Sequence, residues 1–421
     1  MGQVFARLER AYVALFREYP PLLRLALVTG ASQMAFALLN VYALPVYLIR
    51  DLGVSGQEVG AVSATFLLSE TALKFPLGRL SDRLGRKPLI VLGPLATFLN
   101  PAVFVLLPVR WWRVVFPLRV VDGAGAAALW PPLFAMVGDL VKEKSRAAAM
   151  SVMNGVYVGA IGLAAAAGSL VAHVTGSNRS PFYLATVLLF VSAVTAYVGL
   201  PKEQRSKVAA TEEGAAEAAM GVVGGDPESP GGAWYPLWLV LLITLLMTLG
   251  VVMLASFLIV YLQVDLGLSA LQTLELLGAL AVPVLVLGLP LGHAADRWGK
   301  SWAVRISLAL SAAVMWTVPS CRTWATFGAA AMVLVLSHIM GTPAWLALVS
   351  QLAPRERRGG MMSMVATAEG VGAGIGPLVG GRLWDMQHAY IFYGSAALLT
   401  AAAAVACCAL REKGWARPGG R

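Results

Sequence analysis

Twelve apolar stretches divide this chain, and about 20 apolar residues is what a helix needs to cross a bilayer. They run near 25–49, 57–80, 88–108, 111–140, 146–173 and 180–200 in the first half of the chain. In the second half they run near 235–262, 271–293, 301–319, 322–350, 358–385 and 389–410. In hydrocarbon each backbone N–H and C=O needs a partner within the protein, and helices supply one inside each segment. Composition agrees: 58% of the 421 residues are hydrophobic and 13% charged, where a soluble domain has roughly 25% charged. The pattern predicts an all-α membrane protein with 12 transmembrane helices.

The net charge of +10 would suggest nucleic-acid binding in a soluble protein. Here Lys and Arg cluster in short segments between the apolar runs, so topology explains them and no nucleic-acid partner is expected. With the N-terminus inside, the inner segments hold about two dozen basic residues. The outer loops hold about six: Arg50, Arg110, Arg113, Arg179, Arg322 and Arg382. Both termini are therefore expected in the cytoplasm of a multi-pass inner-membrane protein. Residues 1–24 read as an amphipathic segment on the inner surface, with Val4, Leu8, Tyr12, Leu15 and Phe16 at helical spacing among Arg7, Arg10 and Arg17. Residues 201–233, rich in Gly, Ala, Glu and Pro, read as a cytoplasmic linker. It separates six-helix units at 25–200 and 234–411, and 412–421 is a cytoplasmic tail. Cys321, Cys407 and Cys408 have no disulfide or metal-ligand spacing.

The two units are copies of one another. VYLIRDLGVS from Val46 returns as VYLQVDLGLS from Val260, and LGRLSDRLGRK from Leu77 returns as LGHAADRWGKS from Leu291, at the same offset. An even span count sets the copies in parallel as two pseudo-symmetric bundles. Repeats of this kind place a substrate site between the halves near the bilayer midplane.

The loop after the second helix, Gly78-Arg-Leu-Ser-Asp82-Arg83-Leu-Gly85-Arg86-Lys87, resembles the G-x-x-x-D-R-x-G-R-K signature of the major facilitator superfamily. Its weaker copy holds Gly292, Asp296, Arg297, Gly299 and Lys300. Arg119-Val-Val-Asp122-Gly123-Ala-Gly125-Ala resembles that family's fourth-helix motif R-x-x-Q-G-x-G-x-A, with Asp122 where glutamine is usual. Gly372-x-x-x-Gly376-Pro377-x-x-Gly380-Gly381 matches its antiporter-type glycine motif, but on the eleventh helix rather than the fifth. The resemblance implies the major facilitator fold and a secondary transporter, similar to the 12-helix drug/proton antiporters. It also implies a cytoplasmic gate at Gly78, Asp82, Arg83, Gly85, Arg86, Asp139, Asp296 and Arg297. In that gate Asp82 and Arg86 latch the halves when the site opens outward, Arg86 pairs with Asp139, and Asp82 meets the positive end of a facing helix.

Ionisable residues at membrane depth are costly and mark function by default. Glu70 and Lys74 lie one turn apart on the second helix, with Glu70 roughly 20 Å from its outer end. Arg119 and Asp122 form an i,i+3 pair on the fourth helix, and Glu369 lies within the eleventh. All five are candidates for proton coupling or substrate charge: a carboxylate that loses its cation as the halves rock changes its proton affinity. Static ion pairs between helices are the competing reading. The resemblance implies that helices 1, 4, 7 and 10 line a cavity. Candidate lining residues are Gln33, Asn40 and Tyr47 on helix one, Trp130 on helix four, and Asn154 and Tyr157 on helix five. Met253, Phe257 and Tyr261 follow on helix seven, with His338 and Trp345 on helix ten. Such an aromatic and Met lining suits an amphipathic ligand, although each residue taken singly is equally compatible with helix packing.

Export of drugs or other amphipathic compounds, with protons as the coupling ion and no cofactor or metal, is the expected activity. An anionic metabolite, a sugar or a lipid-linked substrate would suit the same architecture, because Lys74 and Arg119 can hold an anion. A non-transporting membrane sensor is the alternative of another class. No enzyme is expected, since four scattered histidines form no catalytic constellation. The expected partners are a small-molecule substrate and the lipid bilayer, and the working unit a monomer.

Overall fold

The computed structural model describes residues 15–201, 237–280, 287, 299–352 and 358–409. Residues 1–14, all of the linker but Pro201, the tail 412–421, and Asp296 and Arg297 lie outside the described residues. The described residues form helices joined by short turns. The first half holds α1 Pro20–Asp51, α2 Gly56–Leu84, α3 Arg86–Leu106, α4 Val109–Leu140, α5 Glu143–Thr175 and α6 Ser180–Gly199. The second holds α7 Leu237–Val264, α8 described over Ala270–Leu280, α9 Lys300–Ser320, α10 Trp324–Leu352, α11 Arg358–Met386 and α12 Tyr390–Ala409. Among the described residues, 10 helices are long and apolar enough to cross a membrane. The 29-residue α2 is long enough too, but its Glu58, Glu70, Lys74 and Asp82 lower its hydropathy.

The repeat is visible in the backbone. In each half the first helix packs on the fifth and sixth, and the third packs on the fourth and sixth. The turn between the first two helices of each half holds a left-handed glycine, Gly53 and Gly267, both at φ 65°. That conformation carries almost no penalty without a Cβ. Before it, the Leu52 N–H reaches back to the Tyr47 carbonyl at 3.1 Å, and in the copy Leu266 reaches Tyr261 at 3.2 Å. After it comes a capping box, Ser55 with Glu58 and Ser269 with Gln272.

Where α2 crosses α11, the halves touch backbone to backbone. A Cβ on Gly56 would stand 2.6 Å from the Trp384 ring and 2.9 Å from the Gly381 carbonyl, so only glycine permits this approach. Gly372, Gly376 and Gly380 instead turn toward α7 of their own half. The glycine motif thus packs α11 against α7 and, through Pro377 and Gly381, against α2. Five inter-half hydrogen bonds among the described residues lie toward the end away from the basic loops. Arg50 donates to Gln263 at 2.8 Å, Gln263 donates to the Tyr42 hydroxyl at 3.5 Å, Ser63 and Ser256 share a bond of 2.8 Å, and Asp385 accepts from the Gly56 and Gln57 N–H groups. Toward the basic end α2 leaves Phe75, Leu80 and Leu84 exposed. Among the described residues the hydrogen bonds between the halves thus lie at one end, away from the basic loops.

Candidate functional site

The pattern Arg-x-x-Asp-Gly-x-Gly on α4 builds the first cluster. Gly123 lets α4 press on α2: a Cβ there would stand 2.6 Å from the Phe66 carbonyl oxygen and 2.9 Å from the Glu70 nitrogen. Arg119 and Asp122 are 1% and 3% exposed, and Arg119 Nη1 donates to Asp122 Oδ2 at 2.9 Å. The Asn100 amide, on α3, donates to the other carboxylate oxygen at 2.7 Å. Arg119 also donates to the side-chain oxygen of Asn40 on α1, and its guanidinium lies over the Phe66 ring at 4.3 Å. A buried charge pair is tolerated only when its remaining hydrogen-bonding atoms are satisfied. Four helices of one half do most of that here, and Arg119 Nε alone has no acceptor among the described residues.

Asn40 reaches Arg119 from an irregular part of α1. Residues Leu38–Ala43 and Tyr47–Asp51 are π-helical. Each i→i+5 bond takes one residue more per turn than an α-helix, which rotates the following side chains, and such bulges are frequent at functional sites. The seven-residue spacing of Gln33, Asn40 and Tyr47 therefore does not keep them on one face. Gln33 stands beside the Tyr157 hydroxyl and Asn40 reaches Arg119. The Tyr47 ring instead packs edge-on against Phe104 at 6.0 Å and Phe182 at 5.6 Å, toward α3 and α6.

The second cluster opens toward the basic end. Lys74 Nζ lies 2.9 Å from Glu70 Oε1, with the lysine side chain 48% and the glutamate 12% exposed. The Glu70 charge also acts on Arg119 and on Tyr157. Across the gap Glu369 of α11 stands within electrostatic reach of Lys74, and the neighbouring Gly370 packs on Thr71 of α2. Aromatic rings wall the same region of the first half: Trp130 meets Tyr157 edge-on at 5.0 Å, Phe134 lies 6.1 Å from Tyr157, and Phe36 lies 6.3 Å from Trp130. Asn154 is half-buried one turn before Tyr157.

The α7 candidates are placed elsewhere. Met253 and Phe257 are fully buried, Phe257 stacks on Trp384 at 5.2 Å, and Tyr261 meets Phe392 at 4.6 Å. These contacts lie inside the second half toward the end away from the basic loops. On α10, His338 is exposed and bonds Thr342 at 3.2 Å. Trp345 is buried, and its indole N–H meets no acceptor among the described residues.

At the basic end Gly85, at φ 95°, turns α2 into α3. Arg86 Nε lies 2.8 Å from Asp139 Oδ2, joining the start of α3 to the end of α4. Asp82 and Arg83 are exposed, and Gly78 accepts a hydrogen bond from Ser81 at 2.7 Å with open space beside it. Sequence reasoning missed Asn100, Phe36, Phe66, Phe134 and Asp385. An Asn-Pro pair interrupting an apolar run was a signal for Asn100. Asp385 looked like an ordinary residue at a span end.

A profile of the Major Facilitator Superfamily matches residues 25–284 and 240–418. Multidrug resistance protein 1 of Bacillus subtilis is 23% identical over 350 residues, covering 82% of this chain and 85% of that protein. Quinolone resistance protein NorA of Staphylococcus aureus is 27% identical over 168 residues, 40% of this chain and 42% of that protein. Among solved structures, a bacterial homologue of the human lysosomal transporter Spinster superposes with a TM-score of 0.75 at 16% identity, over 94% of this chain and 97% of that one.

Proposed function

The chain belongs to the Major Facilitator Superfamily, and we propose that within it the protein is a proton-coupled exporter of drugs or other amphipathic compounds, cycling between inward-open and outward-open arrangements of its halves. The names of its multidrug and quinolone resistance relatives support this reading. The excess of Lys and Arg supports placing the basic end in the cytoplasm; with the inter-half hydrogen bonds then at the outer end, we read the arrangement as inward-open.

The observation that carries the reading is Lys74, placed between a carboxylate of its own half and one of the other. It pairs with Glu70 and feels Glu369. Closing the cytoplasmic end beyond the existing contact of Gly370 with Thr71 moves Lys74 toward Glu369. Glu70 then loses its cation and takes a proton from the outer side. When the cytoplasmic end reopens, Lys74 returns and the proton leaves to the cytoplasm. Asp122 is placed differently, because Arg119, Asn100 and Asn40 all belong to its own half and move with it. Glu70 is therefore the proton carrier, and the Arg119–Asp122 cluster is its fixed electrostatic background. Phe36, Trp130 and Phe134 are buried in the first half, and the half-buried Tyr157 packed against Trp130 and Phe134 is the ring placed to meet a planar or amphipathic cargo.

The test is transport in liposomes under an imposed pH gradient, read with fluorescent cationic dyes. Wild-type protein moves dye with the gradient and Glu70→Gln does not. Gradient-driven transport unchanged in Glu70→Gln would overturn the coupling scheme. The half-exposed Lys74 favours an anionic cargo as the second reading. Folded protein that ignores cationic dyes but moves an organic anion would establish it.

A further inference from the structure

Asp385 ends α11 on the outer side, yet its carboxylate is spent on the other half of the molecule. Oδ1 accepts from the Gly56 N–H at 2.6 Å and Oδ2 from the Gln57 N–H at 2.8 Å. These are first-turn donors of α2, groups that no intrahelical bond satisfies. They carry the positive end of a 29-residue helix dipole. Ser55 already caps the Glu58 N–H, so side chain and carboxylate between them fill the first turn. Gly56 and Gly381 bring the backbones close enough for the contact.

We propose that Asp385 is the latch of the outer gate: its two bonds to the N-terminus of α2 hold the extracellular ends of the halves together, and they break when the transporter opens outward. The inference rests on the alternating-access reading but not on the identity of the cargo or of the proton carrier. The antiparallel α2 and α11 each end in a carboxylate. At the cytoplasmic end of the pair Asp82 of α2 is exposed, so in this state the outer contact is made while the Asp82 end is free. Asp385 also lines an outer cleft of about 370 Å³ with Asp265 and His388. Water reaches the carboxylate there, and the latch releases without stranding a buried charge. The other inter-half bonds among the described residues, Arg50 to Gln263, Gln263 to Tyr42 and Ser63 to Ser256, join each pair by one bond, whereas the Asp385 carboxylate makes two.

The test reads the gate without any transport substrate. Ser256→Cys is introduced into protein carrying Cys321→Ser, Cys407→Ser and Cys408→Ser, and a membrane-impermeant maleimide is applied from outside. Ser256 is 4% exposed and lies beneath the latch. Asp385→Ala is expected to raise the labelling rate about tenfold, and Asp385→Asn, which keeps a neutral acceptor, by less. Asp51→Asn is the control, since Asp51 sits on the same face but bonds Asn178 inside the first half; its labelling should match wild type. Size-exclusion profiles and intrinsic fluorescence establish that each variant is folded. Labelling of folded Asp385→Ala at the wild-type rate, or an equal rise in Asp51→Asn, would overturn the proposal. Wild-type protein that moves no dye, with the labelling shift of Asp385→Ala intact, would count against the drug reading alone.

Discussion

Replacing Asp122 with leucine leaves the Arg119 guanidinium charged, almost fully buried and without its counter-ion. Arg119 keeps Asn40 and the Phe66 ring, and a desolvated cation–π contact is worth about 2 kcal/mol. It loses a charge-assisted bond of 2.9 Å, and Asn100 loses its acceptor as well. Breaking one partner of a buried pair costs about 3–5 kcal/mol. The ring and Asn40 offset part of that, so the expected destabilisation is about 3 kcal/mol. Removing both charges, as in Arg119→Leu with Asp122→Leu, eliminates the stranded ion, and the double variant should lie within ~1 kcal/mol of wild type. Arg119→Leu strands the Asp122 carboxylate at a similar cost of about 3 kcal/mol, so the double-mutant cycle predicts a coupling of about 5 kcal/mol, measured as unfolding free energies in mixed detergent–SDS micelles. Additive single effects, or a double variant less stable than Asp122→Leu alone, would refute the buried-pair account.

The same double variant separates scaffold from carrier. If the proton rides on Glu70, the stable double variant still moves dye with the pH gradient, more slowly because the electrostatic background has changed. If it is stable and uncoupled, the proton belongs to Asp122, and the argument that a partner within one half cannot switch is wrong.

Lys74→Met removes the cation that the proposed scheme moves between Glu70 and Glu369; gradient-driven dye transport should fall at least ~10-fold, and adding Glu70→Gln should not restore it. Gly381→Ala places a methyl group against the Gly56 backbone, and overpacking of this kind costs about 1–3 kcal/mol. It should loosen the outer contact, raising maleimide labelling of Ser256→Cys, and an unchanged rate would show that the helices adjust without opening. Trp130→Ala removes the edge-on partner of Tyr157 and should weaken binding of aromatic dyes by roughly 1–3 kcal/mol in a fluorescence titration, with little effect on a non-aromatic cargo.

The spans, the duplicated halves and the charged pairs were legible because each leaves a local mark. A run of apolar residues, a repeated segment or an i,i+4 ion pair needs no knowledge of what faces it. The repeated turns even kept their backbone detail, with Gly53 and Gly267 at one φ. What faces what was not legible. Seven-residue spacing aligned Gln33, Asn40 and Tyr47 on an ideal helix, and the π-helical stretch Leu38–Ala43 turned Tyr47 away toward Phe104 and Phe182. Met253 and Phe257 looked like cavity lining because an apolar side chain beside water and one in a packed core have the same sequence. Asp385 was invisible as a contact because its partners are backbone N–H groups more than 300 residues away, at 2.6 and 2.8 Å.

The distribution of polar contacts over the two halves carries the functional argument further than any single residue. Bonds confined to one half, such as Arg119 to Asp122 and Arg86 to Asp139, survive a rigid-body rotation and can set a local field without taking part in the switch. Bonds that cross between halves have to be remade in every cycle, so their strength sets how far the equilibrium leans. Here the crossing bonds gather at the outer end, while the crossing charge interaction of Lys74 with Glu369 lies deeper, short of an ion pair. In the proposed cycle, outward opening exchanges the bidentate contact of Asp385 for a closer approach of Lys74 to Glu369 and of Asp82 to the second half. In that scheme a proton arriving on Glu70 cancels the attraction that keeps Lys74 beside it, so that neutralising one carboxylate inside the first half changes the balance of contacts between the two.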